Sequence, residues 1–371
     1  MSVIVIGGGI VGVTAAYTLA KKGRDVILID KAHEGKASSA GAGIVCPWNH
    51  RIQSNDWYEI ARLGAKYYPA LISELEADGE KVDGYKKTGA LYVSIHTEKL
   101  NEIEGTLKTR RKNAPEIGDI LILNPAQARG FFPPLEKSLG AVYVSGAMRV
   151  EGKSLVDTIR RASVKSGVEI INGEARLVYE ENQVIGVTVN GERKFADSVL
   201  IAAGAWAPSL LVPLGIKLQV EPERGQIVHL KMMGHDTSNW PVILPESSYY
   251  MLAFDDSRVV VGATREVGSG FDYRTTVAGI SEVIAEGLSI APRLRTGSLE
   301  EVRIGFRPTG PDALPVIGPI DSVKGLILAT GLGSSGLTMG PYVGMLAAKI
   351  IQEEPVDLDL TPYNPQRAIL V

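Results

Sequence analysis

The chain has 371 residues, with 45% hydrophobic and 22% charged side chains and a formal net charge of -3. That length suggests about two domains, and the near-neutral charge gives no electrostatic case for nucleic acid. The single cysteine, Cys46, excludes an intrachain disulfide and fits a reducing cytoplasm, while a strand pattern starting at the third residue predicts no secretion signal.

Val3-Ile4-Val5-Ile6 is a β-branched run suited to a strand buried on both faces. Gly7-Gly8-Gly9-Ile10-Val11-Gly12 follows, with G-x-G-x-x-G at Gly7, Gly9 and Gly12. The first glycine permits a tight turn, the second lets a pyrophosphate approach the backbone, and the third lets the next helix pack close to the strand. Val13–Lys22 reads as that helix, closed by Gly23, and Val26–Ile29 as a second strand. Asp30 sits where a ribose hydroxyl is gripped; an acid there disfavours a 2′-phosphate, which points to FAD or NAD rather than NADP.

Small residues dominate 37–45, so backbone there can lie close to something flat or phosphorylated. Helical spacing covers Trp57–Ala77, Thr97–Thr109 and Ser154–Ser166, and short strands are expected at Gly89–Ser94, Gly140–Ser145 and Val168–Ile171. Ala175–Glu181 and Val184–Val189 form a hairpin pattern. Val199–Ala202 reads as a buried strand running into Ala203-Gly204-Ala205-Trp206. The stretch Lys217–Glu301 looks β-rich, with strands at Gln226–Leu230, Tyr249–Ala253 and Arg258–Ala263. Gly325–Ala329 restores the parallel-strand pattern, and Pro341–Gln352 reads as a helix. Leu326–Ala348 carries no charged side chain, but its glycines and Pro341 argue against a membrane span.

Nucleotide-binding signals therefore occur in three separate stretches with other material between them. The expected fold is α/β: a Rossmann-like domain interrupted by a second, antiparallel-sheet α+β substrate domain. The expected boundaries are 1–45, 140–216 and 303–371 for the first, and 46–139 and 217–302 for the second.

With these segments in place the chain resembles the FAD-dependent amino-acid oxidoreductases: glycine oxidase, the bacterial D-amino-acid dehydrogenases and the sarcosine-oxidase-like proteins. The resemblance rests on Gly7–Gly12, on Ser38-Ser39-Ala40-Gly41-Ala42-Gly43, on Ala203–Trp206, and on two C-terminal motifs. Those two are Gly305–Gly318, with R-P-x-x-x-D-x-x-P-x-I-G starting at Arg307, and Thr330–Thr338. It implies non-covalent, extended FAD. Ile10, Val11, Asp30 and Lys31 would hold its ADP half, and Arg176 would meet the adenine through its backbone. Ser38, Ser39, Gly43, Ile44 and Val45 would line the pyrophosphate and the isoalloxazine. Gly204 belongs to the cofactor set by the same motif match, and Leu332, Gly333, Ser334, Ser335, Gly336, Leu337 and Thr338 would close over the ring. Sarcosine oxidases attach flavin through a cysteine in the C-terminal third, where this chain has none. Ser334 stands where glycine oxidase has a second arginine.

Hydride transfer to a flavin needs a fixed substrate more than it needs acid–base groups. Arg307 is the expected carboxylate clamp, because a guanidinium grips a carboxylate through two parallel hydrogen bonds. Tyr250 occupies the position of a carboxylate-binding tyrosine in glycine oxidase, and His50 follows the flavin loop and could face the substrate. The five histidines show no metal-ligand spacing, so no metal is expected. The resulting expectation is FAD-dependent oxidation of a D-amino acid, glycine or N-methyl amino acid. Oxygen or a quinone or other electron carrier is the acceptor. Alternatives are a 2-hydroxy-acid dehydrogenase, which needs a tuned base, a non-catalytic flavoprotein subunit, and an NAD-dependent dehydrogenase. Homo-oligomer formation and peripheral membrane association are left open.

Overall fold

The computed structural model describes residues 1–370; Val371, the last residue of the expected C-terminal stretch, lies outside them. Six strands from distant parts of the chain form one sheet. Their order is Val316–Pro319, Leu326–Thr330, Ser198–Ile201, Ser2–Ile6, Asp25–Asp30 and Glu169–Asn172. All neighbours run parallel except the edge strand Val316–Pro319. Ser2–Ile6 lies in the interior of this sheet, which is why it reads as an unbroken apolar run.

A second, eight-stranded sheet has the order Ser298–Thr309, Glu221–Lys231, Arg258–Gly262, Tyr250–Ala253, Val242–Pro245, Ala90–Ser94, Gly140–Val144 and Ile120–Leu123. It is antiparallel apart from the pair Val242–Pro245 and Ala90–Ser94. Strand membership departs from the expected boundaries twice. Gly140–Val144, assigned to the nucleotide unit, is hydrogen-bonded between Ala90–Ser94 and Ile120–Leu123. Ser298–Thr309 runs unbroken through the expected break at 302/303, held along its length by Glu221–Lys231. In both cases ladder pairing decides the placement, and short apolar runs carry no signal of which sheet they join.

The helix Ile10–Lys21 follows the first strand at very close range. A Cβ on Gly12 would lie 1.9 Å from the Gly7 carbonyl oxygen, so only glycine lets helix and turn approach this far. The helix Gly336–Ile351 crosses it: a Cβ on Gly344 would lie 2.5 Å from the Val11 carbonyl. This second helix starts five residues before the expected Pro341. Proline at that position has no N–H to give the Leu337 carbonyl. The buried Tyr68 hydroxyl, from the helix Asn55–Ala77, donates to that carbonyl instead. The apolar stretch Leu326–Ala348 thus divides into strand, turn and helix, and among the described residues no helix is long and apolar enough to cross a membrane.

Several helices were not expected, the longest of them at 277–290. Val277–Ile290 lies inside the stretch read as β-rich, with Thr276 capping its N-terminus by accepting from the Gly279 N–H at 3.2 Å. Only Gly279, Val283 and Gly287 are buried along it. Ile280, Ile284 and Leu288 pack half-buried beside them against the same core, so the helical spacing is present in the residues.

Candidate active site

The turn after the first strand opens an elongated cleft between the two sheets, about 1740 Å³ with its open mouth. Gly7 has φ +112°, and a Cβ there would lie 2.4 Å from the Ala202 carbonyl oxygen. The helix N-terminus therefore sits directly on the cleft wall. The Ile10 N–H is aimed at Ser38 Oγ, 3.0 Å away, and the N-terminal turn lies beside a floor of Gly7, Gly8 and Gly9. Such an end favours negative charge.

Asp30 is buried at one end of the cleft and forms an ion pair with Lys36. Burial opposes ionisation of this carboxyl, but Lys36 and the backbone N–H groups of Gly8 and Ala32 prevail and hold it below the usual carboxylate range. The opposite end is closed by the loop and helix start at 332–338, where Thr338 Oγ1 donates to the Ile44 carbonyl at 3.0 Å. Anion-directed N–H groups, an ionised acid and a long, partly apolar floor fit a dinucleotide such as FAD.

Most of the expected cofactor residues reach this cleft. Its wall includes Gly7, Gly9, Ile10, Val11, Asp30 and Lys31 near the helix end, and Ser38, Gly43, Ile44 and Gly204 further along. Leu332, Gly333, Ser334, Gly336, Leu337 and Thr338 complete it. Gly12, Ser39, Val45, Arg176 and Ser335 are not on the wall. Gly12 acts in packing, as described, and Val45 is fully buried opposite Met148. The Ser39 carbonyl accepts from Arg303 at 3.4 Å, and the Ser335 N–H donates to Leu332. Arg176 is exposed, although its neighbours Glu174 and Ala175 line the cleft.

His50 is also off the wall. Its ring stacks on Trp57 at 4.2 Å, and its Nδ1 accepts from the Ile52 N–H at 3.2 Å. Burial, then the charges of Arg265 and Arg51, push its pKa down to about 4, so it is neutral at pH 7. Cys46 is buried, with Sγ 3.2 Å from the Tyr92 hydroxyl, and burial pushes its thiol up to about 12. It does not line the cleft either. Among the described residues no group of His, Cys, Asp and Glu side chains is arranged to hold a metal.

Arg307 and Tyr250 do come together, on the face of the eight-stranded sheet that looks into the cleft. Arg307 Nη1 donates to Glu223 Oε1 at 2.6 Å and to the Thr264 carbonyl at 3.0 Å. The guanidinium packs over Gly225, where a Cβ would lie 2.5 Å from Nη2. The Tyr250 hydroxyl packs over Gly262 in the same way, at 2.7 Å, close enough to Arg307 to feel its charge. Burial raises the phenol pKa, with Arg307 and Arg265 pulling the other way.

Sequence reasoning missed three charged residues here: Lys36, Glu223 and Arg265. Arg265 Nη1 donates to the same Glu223 oxygen at 3.1 Å, and its Nη2 lies 3.4 Å from Ser334 Oγ. Alternation along Arg258–Gly262 would place Arg265 on the face of Val259 and Val261, away from the cleft. The ladder shifts by one residue, however. Ile227 pairs with Gly262, whereas the next bridge is Arg224 with Glu266, and the shift turns Arg265 to the cleft side. Glu266 then anchors the segment through Arg224, Gln226 and Thr264.

The arrangement has parallels in known proteins. The family model for FAD dependent oxidoreductase (DAO) matches residues 2–350. The uncharacterized oxidoreductase YurR of Bacillus subtilis is 45% identical over 99% of both chains, and glycine oxidase of Pseudomonas aeruginosa is 30% identical over 98% of both. The crystal structure of iminodiacetate oxidase from Chelativorans sp. BNC1 superposes with a TM-score of 0.95, at 45% identity over 98% of both chains. From its cofactor cleft to its C-terminal motifs, this chain belongs to the DAO family of FAD-dependent oxidoreductases.

Proposed function

We propose that the enzyme oxidises the C–N bond of a small amino acid, with Arg307 holding the substrate carboxylate and Tyr250 assisting it. The observation that carries this reading is the mostly buried Arg307 guanidinium, 14% exposed, fixed by Glu223 on the cleft wall beside the loop at 332–338. A guanidinium restrained in this way loses little freedom when it grips a carboxylate, and it sets the orientation of the adjoining carbon. FAD, when bound, supplies the two-electron acceptor for the hydride leaving that carbon. The substrate ammonium first releases a proton to solvent, so no protein base is required. Water then adds to the C=N carbon and the C–N bond breaks, giving an oxo acid and ammonia. An N-substituted substrate gives an oxo acid and a smaller amine. The similarity to iminodiacetate oxidase supports a secondary amine as substrate. The hydroxy-acid alternative needs a base at the reacting carbon, and His50 is stacked on Trp57 away from the wall. Oxygen or a quinone-type carrier would return the flavin to its oxidised form.

The test is anaerobic mixing of the flavin-loaded protein with glycine, sarcosine, proline, D-amino acids, iminodiacetate and 2-hydroxy acids, followed at the visible flavin band. Amines should bleach it, and bleaching by hydroxy acids alone would overturn the reading. Arg307→Ala should keep the bound flavin and lower kcat/KM by about a hundredfold or more, the usual cost of truncating one partner of a buried charge pair. Unchanged turnover in that variant would remove the clamp.

A further inference from the structure

The cleft is closed differently at its two ends. At 332–338 a short loop runs straight into a long helix. At the Asp30 end the wall is made of rings carried on loops. His33 and Trp206 line it, stacked 4.5 Å apart and within 5° of parallel. Both belong to the parallel sheet, His33 following the strand Asp25–Asp30 and Trp206 following Ser198–Ile201. The third ring of the stack comes from the other sheet. Phe271, in the connection 263–276, lies on Trp206 at 4.9 Å and 16° and is not itself on the wall. Phe306 meets Trp206 and Phe271 edge-on, at 6.1 and 5.2 Å.

The contact is built to part. Phe271 is 46% exposed, and the apolar cluster it leans on is small: Ala205, Ile304 and Phe306 are its buried members, separate from the larger cores. Gly268 and Gly270 precede the ring with φ +78° and +57°, and a Cβ on either would meet open space, so the chain can turn there freely. Beyond the ring the backbone is fixed: the buried Arg224 donates to the Asp272 and Arg274 carbonyls at 3.1 and 3.3 Å. One anchored foot, a glycine hinge and a few aromatic contacts make a segment that closes and opens as a unit. We infer that 267–271 is a clasp across the Asp30 end of the cofactor cleft. FAD enters and leaves when Phe271 lifts from Trp206 and the Trp206–His33 pair separates. The clasp acts on the cofactor and is indifferent to the substrate.

A gate adds the same barrier to entry and to release, so removing it speeds both and leaves affinity nearly alone. A ring that only buttresses the bound cofactor changes release and affinity together. The two are separated on the FAD-loaded protein. Release is timed by chasing it with excess 8-chloro-FAD and following the visible spectrum, and affinity is measured by equilibrium dialysis of FAD. Phe271→Ala should speed release about tenfold, in line with the loss of two aromatic contacts, while Kd moves less than about threefold. Phe271→Tyr keeps the ring and should release FAD at the wild-type rate. Val267→Ala, a truncation at a 78% exposed position in the same segment, should also leave release unchanged. Release that changes less than about threefold in Phe271→Ala overturns the inference. So does faster release matched by an equal loss of affinity, and a variant that no longer retains FAD at all falls on the same side.

Discussion

Replacing Tyr68 by phenylalanine removes one oxygen atom and strands a carbonyl. In the helix Gly336–Ile351 the Leu337 carbonyl should accept from the residue four places on, which is Pro341 and has no N–H. The Tyr68 hydroxyl takes that role from the neighbouring helix, and Leu337 itself lines the cleft. An acceptor left without a partner in a buried site costs about 1–3 kcal/mol. For a chain of this length that corresponds to a fall of about 1–4 °C in Tm. The assay is urea unfolding of the FAD-loaded protein, followed by far-UV circular dichroism. The same change at the exposed Tyr179 should stay within about 0.5 kcal/mol. A double-mutant cycle isolates the mechanism, because Pro341→Ala returns a backbone N–H to the Leu337 carbonyl. Tyr68→Phe should then cost about 1 kcal/mol less than it does beside the proline. If Tyr68→Phe costs the same in both backgrounds, the hydroxyl is not substituting for the missing amide and the reasoning is wrong.

Asp30→Asn keeps the shape of the side chain but removes the charge that pairs with Lys36. Equilibrium dialysis should show FAD affinity falling about tenfold or more, as expected for losing a hydrogen bond to a charged group, and affinity equal to wild type would rule out Asp30 as the ribose grip. His50 has a folded-state pKa near 4 against an ordinary value of 6.5. The unfolded chain therefore takes up a proton that the folded chain refuses, and this contribution to stability is present above pH 6.5 and is lost as pH falls toward 4. His50→Gln should flatten the stability profile across that window in urea titrations at stepped pH, and an unaltered slope would contradict the neutral, stacked imidazole.

The nucleotide cleft was legible because each part of its chemistry is local. Gly7, Gly9 and Gly12 sit on a strand–turn–helix whose length and order the residues alone specify, and Asp30 ends the next strand. Arg307 was legible through the motif around it. Arg265 was not, because a one-residue shift in strand pairing decides which face it occupies, and pairing is a property of two distant segments. Glu223 likewise gains its role only by meeting Arg307 from the paired strand and Arg265 from the segment after Arg258–Gly262. The strand Gly140–Val144 failed for a related reason, since its partners lie at Ala90–Ser94 and Ile120–Leu123. In Val277–Ile290 the spacing of Ile280, Val283, Ile284 and Leu288 carries the helix, and a β-rich reading of the strands on either side masked it.

The parallel sheet has a consequence for how the protein is made. Its interior strand Ser2–Ile6 is made long before Ser198–Ile201, the strand it pairs with. That strand in turn waits for Leu326–Thr330, and the cleft is closed only by the residues just after it. A growing chain thus carries an apolar, half-paired edge until those later strands are made, with no finished place for its pigment. Flavin capture is deferred until the residues at 332–338 have been made, because they form part of the cleft wall.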